Sequence, residues 1–211
     1  IIVDENGFPV DVRPYERNVA TKIIEEFMLI ANETVAEDYF WQEIPFIYRT
    51  HEKPDPEKIT QLAIFINNFG YSIHAGRGEI HPKEIQKLLN SLDDKPEEAL
   101  ISRLTLRSLK KARYTTDSSG HFGLAAKYYS HFTAPIRRYS DLQIHRIIKD
   151  NLGGKLDENR INHYQKILDE VAFHVSFTER RADDVEREVD KMKKVEYMSQ
   201  FIGEEFEGVI S

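Results

Sequence analysis

HFGLAAKYYSHFTAPIRRYSDLQIHR, residues 121–146, gathers aromatic rings, three histidines and an adjacent arginine pair around a helix start. Thr133 is a favoured N-cap residue. Pro135 stands in the first turn, where its missing N–H would have had no partner. Together they predict a helix from about Thr133 to about Asp150. At about 100° per residue, Ile136, Tyr139, Ile144, Ile147 and Ile148 share one side, and Arg137 projects between Ile144 and Ile148. Arg138 and His145 point the other way. A guanidinium on the inward side needs a partner. Either Asp141, one turn on, pairs with it, or an anionic ligand does so with help from the free N–H groups of the first turn. Helix geometry leaves both open.

In that stretch Tyr129, His131, Phe132, Thr133, Pro135, Ile136, Arg137, Arg138, Tyr139, Asp141, Leu142, His145 and Arg146 fall in one register. That register resembles the pattern Y-x-H-F-T-S-P-I-R-R-Y-x-D-L-x-x-H-R of the RNase II/RNase R family of RNB-domain 3′-to-5′ exoribonucleases, with Ala134 where serine is common. A match of this length is far more specific than a lone short motif. A second stretch, IIEEFMLIANETVA, is similar to the family's Glu-Glu pair before a methionine and its Ala-Asn further on.

The resemblance implies hydrolysis of RNA one nucleotide at a time from a single-stranded 3′ end, releasing nucleoside 5′-monophosphates. It assigns Arg137 to the phosphodiester near the scissile bond, as the catalytic candidate. Glu25 is put forward as a contact to the base of the 3′-terminal nucleotide. Thr133, Arg138, His121 and Tyr129 are the further candidate RNA contacts, Arg138 through packing or the backbone. Against this stand plainer readings: Glu25 and Glu26 as solvated helix charges, His121, His131 and His145 as hydrogen-bonded structural groups, and Tyr128, Tyr129 and Phe132 as core rather than base-stacking rings.

Two magnesium ions would activate water and neutralise phosphate charge in such a reaction, and hard cations of this kind need several carboxylates. In the family these come from an aspartate-rich segment, and nothing here resembles it. Asp93-Asp94 and Asp183-Asp184 read as surface charge, so no metal ligand is assigned. The expectation is a C-terminal half of the catalytic domain, inactive alone, with Mg2+ held by aspartates in a missing N-terminal half and a monomer at full length. The alternative is a non-catalytic helical RNA-binding module using the same phosphate site. Within the family the arginine pair leans towards the RNase R type.

Composition sets outer bounds. The 211 residues are 40% apolar and 11% aromatic, enough for one sizeable core. The net charge of −7 excludes indiscriminate nucleic-acid binding, so any RNA contact must be local. No run of about 18 apolar residues exists, which argues against a membrane span. The absence of cysteine agrees with a reducing cytoplasm, the expected location. The first residue is Ile, and a piece of a longer protein is expected.

Along the chain, residues 1–13 suggest a hairpin turning at Glu5-Asn6-Gly7. A helix is predicted over 14–38, with Ile24, Phe27, Met28, Ala31 and Val35 as its apolar stripe and Glu25 and Asn32 sharing another face. A strand over 45–50 precedes a helix from Asp55-Pro56 to Gly70, then helices over about 81–92 and 96–112. The last of these carries Arg103, Arg107, Lys110 and Lys111, and Arg113 follows it. This basic run either attracts RNA backbone or is a solvated face. Residues 115–123 form a Ser- and Gly-rich loop that lets backbone approach a ligand. Gly153-Gly154 is a turn, and a very long helix follows over about 156–201, with Ser176, Glu179 and Arg180 as a weaker family-like pattern. The fold class is α+β, mostly helical, with residues 1–202 as RNB-type domain and 203–211 as the first strand of an S1-type RNA-binding domain.

Overall fold

The computed structural model describes residues 1–14, 17–76, 79–93 and 95–208. Residues 15 and 16 in the helix expected over 14–38, Asp94 and residues 209–211, on which parts of three expectations fall, lie outside the described residues. Residues 204–208 adopt no regular element.

The chain is α+β and mostly helical, as its patterning predicts. β1 (Ile2–Val3) and β2 (Pro9–Asp11) form the expected hairpin, closed by Gly7 at φ 79°. α1 (Val19–Trp41) starts at Asn18, whose side chain accepts the Thr21 N–H. β3 (Tyr48–Thr50) follows. α2 (Pro56–Asn67) begins where Asp55 and Pro56 require, with Asp55 accepting the Glu57 N–H. β4 (Ala75–Gly76) and β5 (Glu79–Ile80) pair before α3 (Pro82–Asn90) and α4 (Glu98–Ser108). The predicted helix over 96–112 stops at Ser108, because residues 113–115 are drawn into β6 (Arg113–Thr115), antiparallel to β3. α5 (Tyr139–Leu152) and α6 (Glu158–Met198) complete the chain, joined through Gly153 and Gly154.

Two further expectations are corrected. The motif helix starts at Tyr139, six residues after Thr133. Residues 134–138 instead form a separate turn in which Arg137 N–H and Arg138 N–H both donate to Ala134 C=O, at 3.3 and 3.1 Å. Arg138 then takes extended backbone (φ −126°, ψ 119°), which breaks the run before α5 begins. Ile136 is therefore wholly exposed rather than part of the apolar side, while Ile144 and Ile147 are buried as predicted. The α1 stripe is also displaced: Ile24, Phe27 and Met28 face solvent, and the packed face is Asn32, Ala36 and Tyr39. These recur at helical spacing too, but around a polar Asn that periodicity discounts.

The main core lies between α1, the β3–β6 pair, α5 and α6, where Phe46, Ile47, Ile144, Ile147, Tyr164 and Leu168 are essentially inaccessible. α2, α3 and α4 bury a second cluster around Ile66, Leu92 and Ile101. Ile59, Ile80, Ile85 and Phe122 form a third, which ties the loop before the motif to α2 and α3. No helix among the described residues is long and apolar enough to cross a membrane.

Candidate phosphate-binding site

β3 is the element on which the site is assembled. On one edge it pairs with β6, placing Arg49 opposite Tyr114. On its other edge the loop and motif dock by backbone bonds: Arg49 N–H to Tyr129 C=O at 2.9 Å, His51 N–H to Gly120 C=O at 3.0 Å and Phe122 N–H to His51 C=O at 2.8 Å. Gly120 is required here. Its φ is 80°, and a Cβ would stand 3.0 Å from Ala126 C=O. The Ser- and Gly-rich loop, expected to let backbone approach a ligand, packs its own backbone against β3.

Asn32 fastens α1 to the same segment. Its Nδ2 donates to Tyr129 OH at 3.1 Å, and its Oδ1 accepts Phe132 N–H at 2.9 Å. α6 closes the third side: Arg49 donates to Glu179 at 2.6 Å, its guanidinium lies over the Tyr114 ring, and Ser176 Oγ accepts Tyr114 N–H at 2.9 Å. The Tyr114 hydroxyl shares a 2.8 Å hydrogen bond with His131 Nδ1.

The histidines of this cluster are neutral. Burial holds His131 down to about 3, helped by Arg138, Arg49 and Arg137, and holds His121 down to about 4, helped by His51 and Arg49. His51 is lowered for the same first reason. Geometry agrees: Nδ1 of His51 accepts Gly123 N–H and Nδ1 of His121 accepts Leu124 N–H, so neither nitrogen carries a proton. His145 donates from Nε2 to Phe132 C=O at 2.9 Å and stacks on the Phe132 ring.

Arg137 and Arg138 part company. Arg138 donates to the wholly buried Asp141 at 2.8 Å from Nη2 and 3.1 Å from Nε. The pairing with Asp141 considered for Arg137 is therefore made by its neighbour, since the extended backbone at Arg138 turns that side chain inward. Arg137 is exposed, and no carboxylate pairs with it among the described residues. It lines an open groove of about 480 Å³ with Tyr114, Arg138, Ser140, Thr178 and Glu179. The groove is also lined by Asp183; with Arg138 neutralised by Asp141 and Glu179 by Arg49, Arg137 is its one guanidinium left, among the described residues, to meet an anion.

Of the other candidates, Thr133 is half-buried and the neighbouring Ala134 N–H is taken by Asp141. Tyr129 and His121 lie in the ring cluster, 5.2 Å apart. Glu25, on α1, pairs with Arg17 just before that helix and does not line the groove. In the basic run, Lys110 and Arg113 both pair with Glu52. Sequence reasoning missed Arg49 and Tyr114, each a single residue in a short strand, and gave Glu179 only as part of a weak pattern.

Divalent cations do not fit these side chains. Glu179 is engaged by Arg49, and Asp141 is engaged by Arg138, Ser140 and the Ala134 N–H. Among the described residues no three His, Asp or Glu side chains converge as ligands.

A family profile described as the RNB domain matches residues 1–154. The chain is 46% identical over its whole length to Ribonuclease R of Thermotoga maritima, of which it covers 30%, and 44% identical to Ribonuclease R 1 of Lactococcus lactis, of which it covers 26%. It thus spans under a third of either relative. A solved structure of Mycoplasma genitalium RNase R in complex with ribose-methylated single-stranded RNA superposes on 97% of this chain and 32% of that one, with a TM-score of 0.90 and 30% identity.

Proposed function

The chain belongs to the RNB-domain family, and from that premise we propose that it forms the phosphate-gripping side of a 3′-to-5′ exoribonuclease that hydrolyses RNA to nucleoside 5′-monophosphates. The observation that carries this reading is Arg137: a guanidinium without a carboxylate partner among the described residues, at the rim of a groove on a turn whose flanks are anchored in the core. Its fixed fork can bridge two phosphate oxygens, and it stabilises negative charge as it develops during displacement. Arg138 adds charge from behind while remaining bound to Asp141.

The neutral imidazoles of His121 and His131 serve as uncharged packing that positions the motif, and they do not move protons near pH 7. Tyr129 orients the segment through Asn32. Glu25 and Thr133 remain candidate contacts to the terminal nucleotide. RNA is the substrate this reading assigns, in keeping with the RNA held by the Mycoplasma genitalium relative. Magnesium belongs to it as well, held by carboxylates outside these residues, so the 211-residue chain alone is expected to be inactive.

The test is product analysis of the full-length protein on 5′-labelled poly(A) with magnesium. Stepwise shortening from the 3′ end with release of AMP is the expected result. Internal cleavage, or binding with no loss of length, would replace this reading with another nuclease chemistry or a non-catalytic RNA-binding module.

A further inference from the structure

Asp141 is the motif's single carboxylate, it has no exposed surface, and its contacts are distributed in an informative way. Oδ2 accepts the Ala134 N–H at 2.8 Å together with the two Arg138 bonds, and Oδ1 accepts the Ser140 hydroxyl at 3.1 Å. Ala134 lies three residues before Arg137 and Arg138 one residue after it. Both flanks of Arg137 therefore end on a single carboxylate oxygen. The turn between them is closed by its own backbone, through Ala134 C=O. The Arg137 side chain makes no hydrogen bond or ion pair among the described residues, so the direction in which it leaves the chain is set by the backbone of this turn.

The geometry points to Asp141 as the positioning residue for Arg137: it holds the 134–138 turn in the one arrangement that presents the Arg137 guanidinium to the groove, without touching RNA itself. The inference rests on the phosphate-gripping role given to Arg137 above. A carboxylate is suited to this task because charge-assisted bonds are short and directional, and because in the core the alternative is an unpaired buried charge. A displacement of about 1 Å at a group that stabilises a transition state costs far more in turnover than in substrate affinity.

A double-mutant cycle in the full-length protein tests it, with kcat and KM on poly(A) measured for wild type, Arg137→Ala, Asp141→Asn and the double variant. Asp141→Asn is expected to lower kcat by about 10-fold or more with KM within about 2-fold, and to lower it by less than about 2-fold once Arg137 is already Ala. An equal fold loss in both backgrounds would overturn the positioning role, because it would reveal a general structural effect. No loss in the wild-type background would overturn it as well. If Arg137→Ala alone leaves turnover intact, the phosphate-gripping reading fails first and takes the positioning role with it. Asp141→Glu, which keeps the buried charge but moves it by one methylene, is run through the same cycle in case Asp141→Asn does not fold, and the same outcomes decide.

Discussion

Arg49 on β3 donates to Glu179 on α6 at 2.6 Å across 130 residues of chain, and its guanidinium carbon stands 4.5 Å from the centroid of the Tyr114 ring. The two side chains are only 13% and 29% exposed, so the pair is partly desolvated and fixes the long helix against the β3–β6 sheet.

Arg49→Met removes the donor and leaves the Glu179 charge half-buried. A loss of roughly 2 kcal/mol in unfolding free energy is expected, with a smaller loss for Glu179→Gln, which keeps a neutral acceptor. Urea unfolding followed by circular dichroism measures both. Equal effects of the two variants would show that a neutral amide acceptor does not make up for the lost carboxylate beside the Arg49 guanidinium.

Asn32 bridges α1 and the motif with a donor and an acceptor at once. Asn32→Leu leaves the Tyr129 hydroxyl and the Phe132 N–H without that partner. It is expected to cost about 2–4 kcal/mol, and Asn32→Asp, which keeps the acceptor for Phe132 but buries a carboxylate at a position 4% exposed, at least as much. Urea midpoints rank the two.

Stability should fall with acid through the histidines. In the folded chain His121 titrates at about 4 and His131 at about 3, against about 6.5 for the unfolded side chain. Between the folded and unfolded values the unfolded chain binds more protons. Their contribution is therefore complete above about 6.5 and is lost as pH drops towards about 4 and then 3. Replacing either histidine by Gln should flatten the slope of stability between pH 6.5 and 5. An unchanged slope in both variants would mean that these imidazoles are already protonated when folded.

Gly120→Ala meets a positive φ and a Cβ 3.0 Å from Ala126 C=O. A destabilisation of at least about 1 kcal/mol is expected, by the same urea assay, together with faster amide exchange at His51, whose N–H donates to Gly120 C=O. Gly7 has a similar φ, but a Cβ there would meet nothing within 4 Å, so Gly7→Ala should cost less.

The local punctuation of this fold is legible in the sequence: Asp55-Pro56 starts a helix where cap rules place it, the helix expected from about His81 begins at Pro82, and Gly7 turns the first hairpin. What is not legible depends on partners distant in sequence. Thr133 satisfies the N-cap rule, yet the Ala134 N–H finds Asp141 and the helix begins later. β6 has a strand's three residues only because β3 lies beside it. The arginine pair is visible as a site, but which arginine is bound and which is free follows from the extended backbone at Arg138, and periodicity assumes that such a break is absent. Arg49 and Tyr114 carry no local signal; their place in the site comes from pairing across the sheet and from α6.

The phosphate-gripping role rests on Arg137. In the full-length protein, single-turnover degradation and equilibrium binding of the same poly(A) oligomer are compared for wild type and Arg137→Ala. The expected result is a fall in the chemical rate of about 100-fold or more with RNA affinity weakened by less than about 10-fold. Equal loss of rate and affinity, or loss of neither, would contradict a role for this guanidinium in stabilising charge at the scissile phosphate.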